Sequence, residues 1–262
     1  MNCKNCNNTL KESQKFCDEC GAKIIQNRLK PKVLAQQVNA QFISIDNKFL
    51  RTFIDLFKQP ETVIIGYIDG TRKKYIDVLQ YFAISLTLAG IQVFLITTFF
   101  KEALTFSPEF ITTIENMPEQ DINPMASFNP DIFTKYQGLI YILGVPVSAL
   151  ATWLVYYLFG NKRFNFTEHL VLNLYYSAQI IIITAVFSIL FLVTGMNYLI
   201  VSSLLGLPTF IYLAYILKKI FKEDFWNTIA KFLIVMAFYV VIYFIIILIA
   251  AIVLFFSGYF KI

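Results

Sequence analysis

Residues 170–217 read LVLNLYYSAQIIIITAVFSILFLVTGMNYLIVSSLLGLPTFIYLAYIL, 48 positions without an Asp, Glu, Lys or Arg. About 20 apolar residues carry a helix across a bilayer's hydrocarbon core. This run is too long for one crossing and fits two, with a break at Thr194-Gly195-Met196-Asn197. Three more charge-free stretches, 78–100, 136–161 and 232–260, each fit one crossing. Backbone in lipid must satisfy its own hydrogen bonds, and continuous apolar runs do not suit alternating barrel strands, so the segments are helices. The pattern predicts an all-α polytopic membrane protein of about five transmembrane helices, near 78–100, 138–159, 170–193, 198–217 and 232–256. Together they form a transmembrane domain over 78–262.

The whole chain of 262 residues is 57% apolar and 15% charged. Soluble domains carry about a quarter charged residues. An ordinary soluble enzyme and a disordered chain are both excluded. Residues 1–77 hold 13 basic and 8 acidic groups, against 9 and 9 in residues 78–262, so a basic head precedes a charge-poor body. Arg72, Lys73 and Lys74 precede the first span; Lys162 and Arg163 fill the second loop; Lys218, Lys219, Lys222 and Lys231 fill the last. The 101–137 loop is acidic and holds Pro108, Pro118, Pro124 and Pro130. Lys/Arg-rich loops stay on the cytoplasmic side, which places the N-terminus inside and the C-terminus outside, with Lys261 the one contrary charge. Residues 1–20 are polar and Cys-rich, unlike a signal peptide, so the first span is expected to direct insertion.

The head is a second kind of object. Cys3-Lys-Asn-Cys6 and Cys17-Asp-Glu-Cys20 are two C-x2-C pairs ten residues apart, and they contain every cysteine of the chain. This spacing suits a tetrahedral four-thiolate site, here a small N-terminal zinc ribbon over residues 1–24, with iron the chemical alternative. Gly21 after Cys20, and Asn7 after Cys6, tolerate the positive φ that each turn needs. Leu10 and Phe16 are expected to pack beside the ion. A segment of ~20 residues builds no core of its own, so metal supplies its folding energy. Disulfides would need an oxidising compartment, which the loop charges argue against. Four thiolates leave no open coordination position, so the metal is structural and the ribbon binds a partner. Acidic Glu12, Asp18 and Glu19 offset its lysines, so no nucleic acid is expected.

Residues 25–77 link head and body. Leu34, Val38, Phe42, Ile45, Phe49, Phe53 and Leu56 recur at intervals of three and four, one helical face that lies on the membrane or packs under the bundle. Asp46-Asn47 is a candidate cap that splits it, and Pro60 ends it and opens a short helix. Gly66 and Gly70 bracket a turn before Arg72, Lys73 and Lys74, candidate contacts for anionic lipid headgroups. The cysteine pairs, Asp46-Asn-Lys-Phe49-Leu50-Arg51-Thr52, Pro60 and Gly66-Tyr67-Ile-Asp-Gly70-Thr-Arg72-Lys-Lys-Tyr75 together resemble an uncharacterised family of bacterial inner-membrane proteins, a domain of unknown function with an N-terminal zinc ribbon. The resemblance covers roughly residues 1–100, with an echo at Phe164-Asn-Phe-Thr-Glu168-His169-Leu170. It implies a location in the bacterial inner membrane and a metal, and no activity. The five-span layout is also similar to Yip1-type membrane proteins.

No Asp, Glu, Lys or Arg lies mid-span, which argues against a proton-coupled transporter. Arg163, Glu168, His169 and Asn173 are a candidate polar site at the cytoplasmic face of the third span. The plainer reading makes them a helix start, capped by Thr167, with Asn173 bonded to a neighbouring helix. Gly144-Val-Pro146 and Gly206-Leu-Pro208 are candidate kinks in spans two and four, consistent with a duplicated hairpin. The expectation is a non-enzymatic scaffold or recruiter, embedded in the lipid bilayer, whose ribbon binds a cytoplasmic protein. The alternative is a small-molecule or lipid transporter with a cleft near the Gly-x-Pro kinks.

Overall fold

The computed structural model describes residues 2–11, 14–22, 24, 31–32, 48–104 and 134–256. The chain divides into two units, Met1–Asn47 and Lys48–Ile262. Leu34, Val38, Phe42, Ile45, the Asp46-Asn47 cap, Lys261 and the four prolines of the 101–137 loop lie outside the described residues.

The larger unit is helical: α1 Lys48–Lys58, α2 Pro60–Ile68, α3 Val78–Phe99, α4 Gln137–Leu158, α5 Phe166–Val193, α6 Tyr198–Phe221 and α7 Phe225–Phe256. Five of these, α3 to α7, are long and apolar enough to cross a membrane. Among the described residues no strand forms; in the ribbon Asn2 makes an isolated bridge with Thr9. Large apolar side chains such as Leu79, Phe94, Leu143, Leu190, Ile211 and Phe244 stand exposed around the bundle. A water-soluble protein rarely exposes so much contiguous apolar surface, whereas lipid tails cover it without cost. The chain is a multi-pass membrane protein by length and composition of its helices.

Local chemistry sets the ends of the elements. The break within 170–217 is a turn in which Gly195 takes φ 81°. Its amide donates to Leu192 O at 3.0 Å, and the Met196 amide to Phe191 O at 3.2 Å. This satisfies the last carbonyls of α5. Gly70, at φ 99°, ends α2 in the same manner, with Thr71 N donating to Gly66 O at 2.7 Å. At the start of α5 the structure corrects the expected cap. Asn165, not Thr167, is the N-cap: its side chain accepts from Glu168 N at 3.0 Å, and the Glu168 carboxylate accepts from Asn165 N at 2.7 Å. This reciprocal pair satisfies two orphan amides, which Thr167, one residue inside the helix, cannot do.

Helix α5 is central and packs against α3, α4 and α6, while α7 packs mainly against α4. Tyr81, Tyr156, Tyr175, Leu172, Ile216 and Leu217 are fully buried between them. Helices α1 and α2 belong to the same core, through Leu56, Val63 and Ile64. Of the two places open to the amphipathic face, its described part packs against the bundle. Pro60 lies at the first turn of α2, so the last carbonyls of α1 have no partner within the helix. Tyrosines of α6 supply them: Tyr212 OH donates to Leu56 O at 3.0 Å and Tyr215 OH to Phe57 O at 2.9 Å. Gln179 of α5 donates to Phe53 O at 3.1 Å and accepts from Tyr81 OH. Tyr175 OH donates to Ile76 O at 2.8 Å, and Ile76 N to Thr52 Oγ1 at 3.1 Å.

Pro146 and Pro208 lie inside α4 and α6, which run through them. The two Gly-x-Pro sites have different surroundings. A Cβ on Gly144 would meet Tyr243 OH at 3.2 Å, whereas one on Gly206 would meet nothing within 4 Å.

Candidate functional site

In the ribbon, the sulfurs of Cys3, Cys6, Cys17 and Cys20 lie within 4.8 Å of one another. Cys3 and Cys20 are 3.6 Å apart, as are Cys6 and Cys17. A disulfide needs about 2.05 Å. A tetrahedron of thiolates around one ion with metal–sulfur bonds near 2.3 Å places its sulfurs about 3.8 Å apart. The spacing therefore fits a shared metal ion. Each pair sits on the same backbone device. Cys3 N donates to Asn8 O and Asn7 N to Cys3 O, at 2.8 and 2.9 Å. Cys17 N donates to Ala22 O and Gly21 N to Cys17 O, at 2.9 and 3.0 Å. Asn7 and Gly21 hold φ of 61° and 67°. The two turns are thus equivalent, with the small αL-tolerant residue directly after each second cysteine.

The thiols are electrostatically unequal. The Ala22 amide, the Asn5 side chain and Cys6 lower Cys20 to about 6. The Asn8 amide pulls Cys6 down too, but Cys20, burial, Cys17 and Cys3 outweigh it and push Cys6 up to about 12. One sulfur is ready to ligate at neutral pH, and another gives up a proton only to a metal. Leu10 is buried against Cys3 and Cys17. Phe16, expected beside the ion, is instead 57% exposed.

In the bundle, the residues proposed as one polar site separate into two groups. His169 and Asn173, one turn apart on α5, are both buried and meet at Thr152 of α4. His169 Nδ1 lies 3.2 Å from Thr152 Oγ1, and Asn173 Nδ2 donates to the same oxygen at 3.0 Å. Glu168 is engaged in the capping box, and exposed Arg163 lies 4.8 Å from the Phe164 ring centroid. The sequence reading missed the other members of the buried group. Tyr156, one turn after Thr152, stacks on Phe221 at 3.6 Å. Lys231 pairs with Glu223 and lies 5.1 Å from the Tyr156 ring centroid. The i, i+4 spacing of Thr152 and Tyr156 was the one available signal.

At the same end of the bundle, Arg72 lies over Tyr67 at 5.4 Å and Lys74 over Tyr75 at 5.0 Å, with Lys73 exposed between them. Such stacking holds a cation without neutralising it. Below them Tyr67 OH donates to Asp77 at 2.9 Å and Tyr75 OH to Asp55 at 2.9 Å. Burial, then the bonded Asp77, raises the Tyr67 hydroxyl above its ordinary range, so it stays a donor.

A family model described as "Protein of unknown function (DUF3667)" matches residues 46–90. That stretch contains α1, α2, the Gly70 turn with its cations, and the first half of α3. The chain is similar to that family there, and the match carries no activity. No curated protein and no solved structure matches the chain.

Proposed function

We propose that this protein is a non-enzymatic recruiter of a bacterial inner membrane, with a cytoplasmic zinc ribbon that docks a protein partner and a helical bundle that anchors it. The observation that carries the reading is the ribbon's surface. Four sulfurs leave the ion no open position for a substrate, while an aromatic side chain next to Cys17 projects outward. A closed metal site organises a surface rather than a reaction, and exposed aromatics are the usual anchors of protein interfaces. We take the ion as zinc, the usual metal of a closed four-thiolate structural site, with iron the chemical alternative. The cytoplasmic placement rests on the cations gathered at one end of the bundle.

The test is crosslinking in intact cells, with Phe16→Ala beside Cys17→Ser. Loss of the same protein partner from both variants, with zinc kept by Phe16→Ala, is the expected result. A partner retained by Cys17→Ser would sink the docking role. A second reading, transport of a lipid or small molecule, draws support from a cleft that includes Gly144. Unchanged flux after Pro146→Ala plus Pro208→Ala would count against it.

A further inference from the structure

Helix α1 has three sectors around its axis. At about 100° per residue, Thr52 and Leu56 lie on one side, and both are fully buried against the bundle. Leu50, Ile54 and Phe57 share a second sector of about 60°, and they are 51%, 37% and 41% exposed. Lys58, Arg51 and Lys48 follow along the far edge of that stripe. All three are exposed, and none has an ion pair among the described residues. The one acid of the helix, Asp55, accepts from Tyr75 OH at 2.9 Å.

Two observations say what covers the stripe. The first is depth. Tyr212, which donates to Leu56 O, lies just past the middle of the 24-residue α6. Gln179, which donates to Phe53 O, lies at the middle of the 28-residue α5. Helix α1 is thus tied to the flank of two apolar spans and not to residues beyond their ends. The second is continuity. Ile200, Leu204, Leu207 and Ile211 form a row along α6, and each is more than half exposed. The next member of that row is Tyr215, whose hydroxyl donates to Phe57 O at 2.9 Å. The lipid-facing row of α6 therefore leads onto the end of α1 that carries Phe57.

An exposed apolar stripe with cations along one edge is the pattern of a helix seated in a membrane interface. Acyl chains cover such a stripe, and long basic side chains reach up to the headgroups. We propose that α1 is a lipid-binding surface selective for anionic phospholipids: acyl chains cover Leu50, Ile54 and Phe57, and Lys58, Arg51 and Lys48 hold the headgroup phosphates. The proposal depends neither on the docking role of the ribbon nor on transport.

The experiment places a photoreactive benzophenone amino acid at Ile54 of the full-length protein. The protein sits in nanodiscs of equal phosphatidylglycerol and phosphatidylcholine. A second copy carries the probe at Phe244, an exposed residue of α7, as the bulk-lipid reference. Mass spectrometry is expected to find phospholipid adducts at both positions. Phosphatidylglycerol should exceed phosphatidylcholine about fivefold at Ile54, the worth of roughly one basic side chain at an anionic surface, and match it at Phe244. Arg51→Gln plus Lys58→Gln should bring Ile54 to the bulk ratio without lowering the adduct yield. If that variant misfolds, salt raised to about 1 M on the unaltered residues should do the same by screening. A probe at Leu50 replaces the one at Ile54 if that chain misfolds. Equal lipid ratios at Ile54 and Phe244 would overturn the proposal. So would adducts at Ile54 to residues 25–47, to a second copy or to another protein in place of lipid.

Discussion

The ribbon and the bundle meet the same shortage, too little water-excluded surface for their size, by opposite means. Among its described residues the ribbon buries Cys3, Leu10 and Cys17, and it gathers four sulfurs around one point. The bundle leaves much of its apolar surface uncovered and lets lipid cover it, while its specificity comes from hydroxyl and amide groups. In the ribbon the backbone bonds of each cysteine turn join residues within five positions, as Cys3 N to Asn8 O does, and the sulfurs meet across 11 and 17. In the bundle they join residues 98 to 156 positions apart: Tyr81 to Gln179, Tyr175 to Ile76, Tyr212 to Leu56. The lesson is that a four-thiolate cluster would concentrate stability in one removable ion, whereas membrane packing spreads it over many weak bonds.

Removing the metal should separate the behaviour of the two units most strongly. Chelation, or Cys17→Ser, should unfold the ribbon and cost it about 10 kcal/mol of metal-coupled folding energy. Helical circular dichroism of the bundle should not change. Ribbon NMR shifts that survive metal removal would show that the small core suffices.

Protons sharpen the same contrast. Metal binding requires every thiol as thiolate, so apparent affinity falls as pH falls. At neutral pH the metal displaces the proton of Cys6, pushed up to about 12, while Cys20, lowered to about 6, is already ionised. The decline should therefore steepen below about pH 6, where Cys20 also takes a proton. Chelator competition across pH 5.5 to 8 reads it directly as ~tenfold steps in affinity. A flat profile would mean that the thiols do not carry the metal.

In the bundle the expected effects are smaller. Thr152→Val keeps the shape but strands the donors of His169 and Asn173, and should destabilise the bundle by about 2 kcal/mol. Thermal unfolding in detergent measures it, and ribbon shifts should stay put. Tyr212→Phe removes one hydroxyl from the end of α1 and should cost about 0.6–1 kcal/mol, as interhelical bonds in membranes do. Faster hydrogen exchange over 48–58, with α3 to α7 unaffected, is the expected readout.

The difference in range also explains what was legible in the sequence. Charge-free runs announce helices that can cross a membrane, and Thr194 to Asn197 marked a real turn. The cysteine spacing and the small residues at positions 7 and 21 foretold a four-sulfur cluster, because ligands and turn share one short segment. The N-cap of α5 was misplaced by two residues, since Asn165 and Thr167 are both good caps and only the reciprocal bond with Glu168 separates them. Thr152, Tyr156 and Lys231 read as an ordinary span residue, a span aromatic and a loop cation. Their grouping appears only when α4, α5 and the start of α7 come together, for Lys231 lies inside α7 and not in a loop. Phe16 looked like a core residue because its neighbour Cys17 is one, and the turn around Cys17 instead sends it outward.

The most direct test is native mass spectrometry of the full-length protein, released gently from its own membrane, beside a Cys17→Ser copy. The account predicts one zinc ion and a protein partner on the unaltered chain, both absent from the variant, with any bundle-bound small molecule retained by both. The same partner on both chains, or no metal on either, would contradict it.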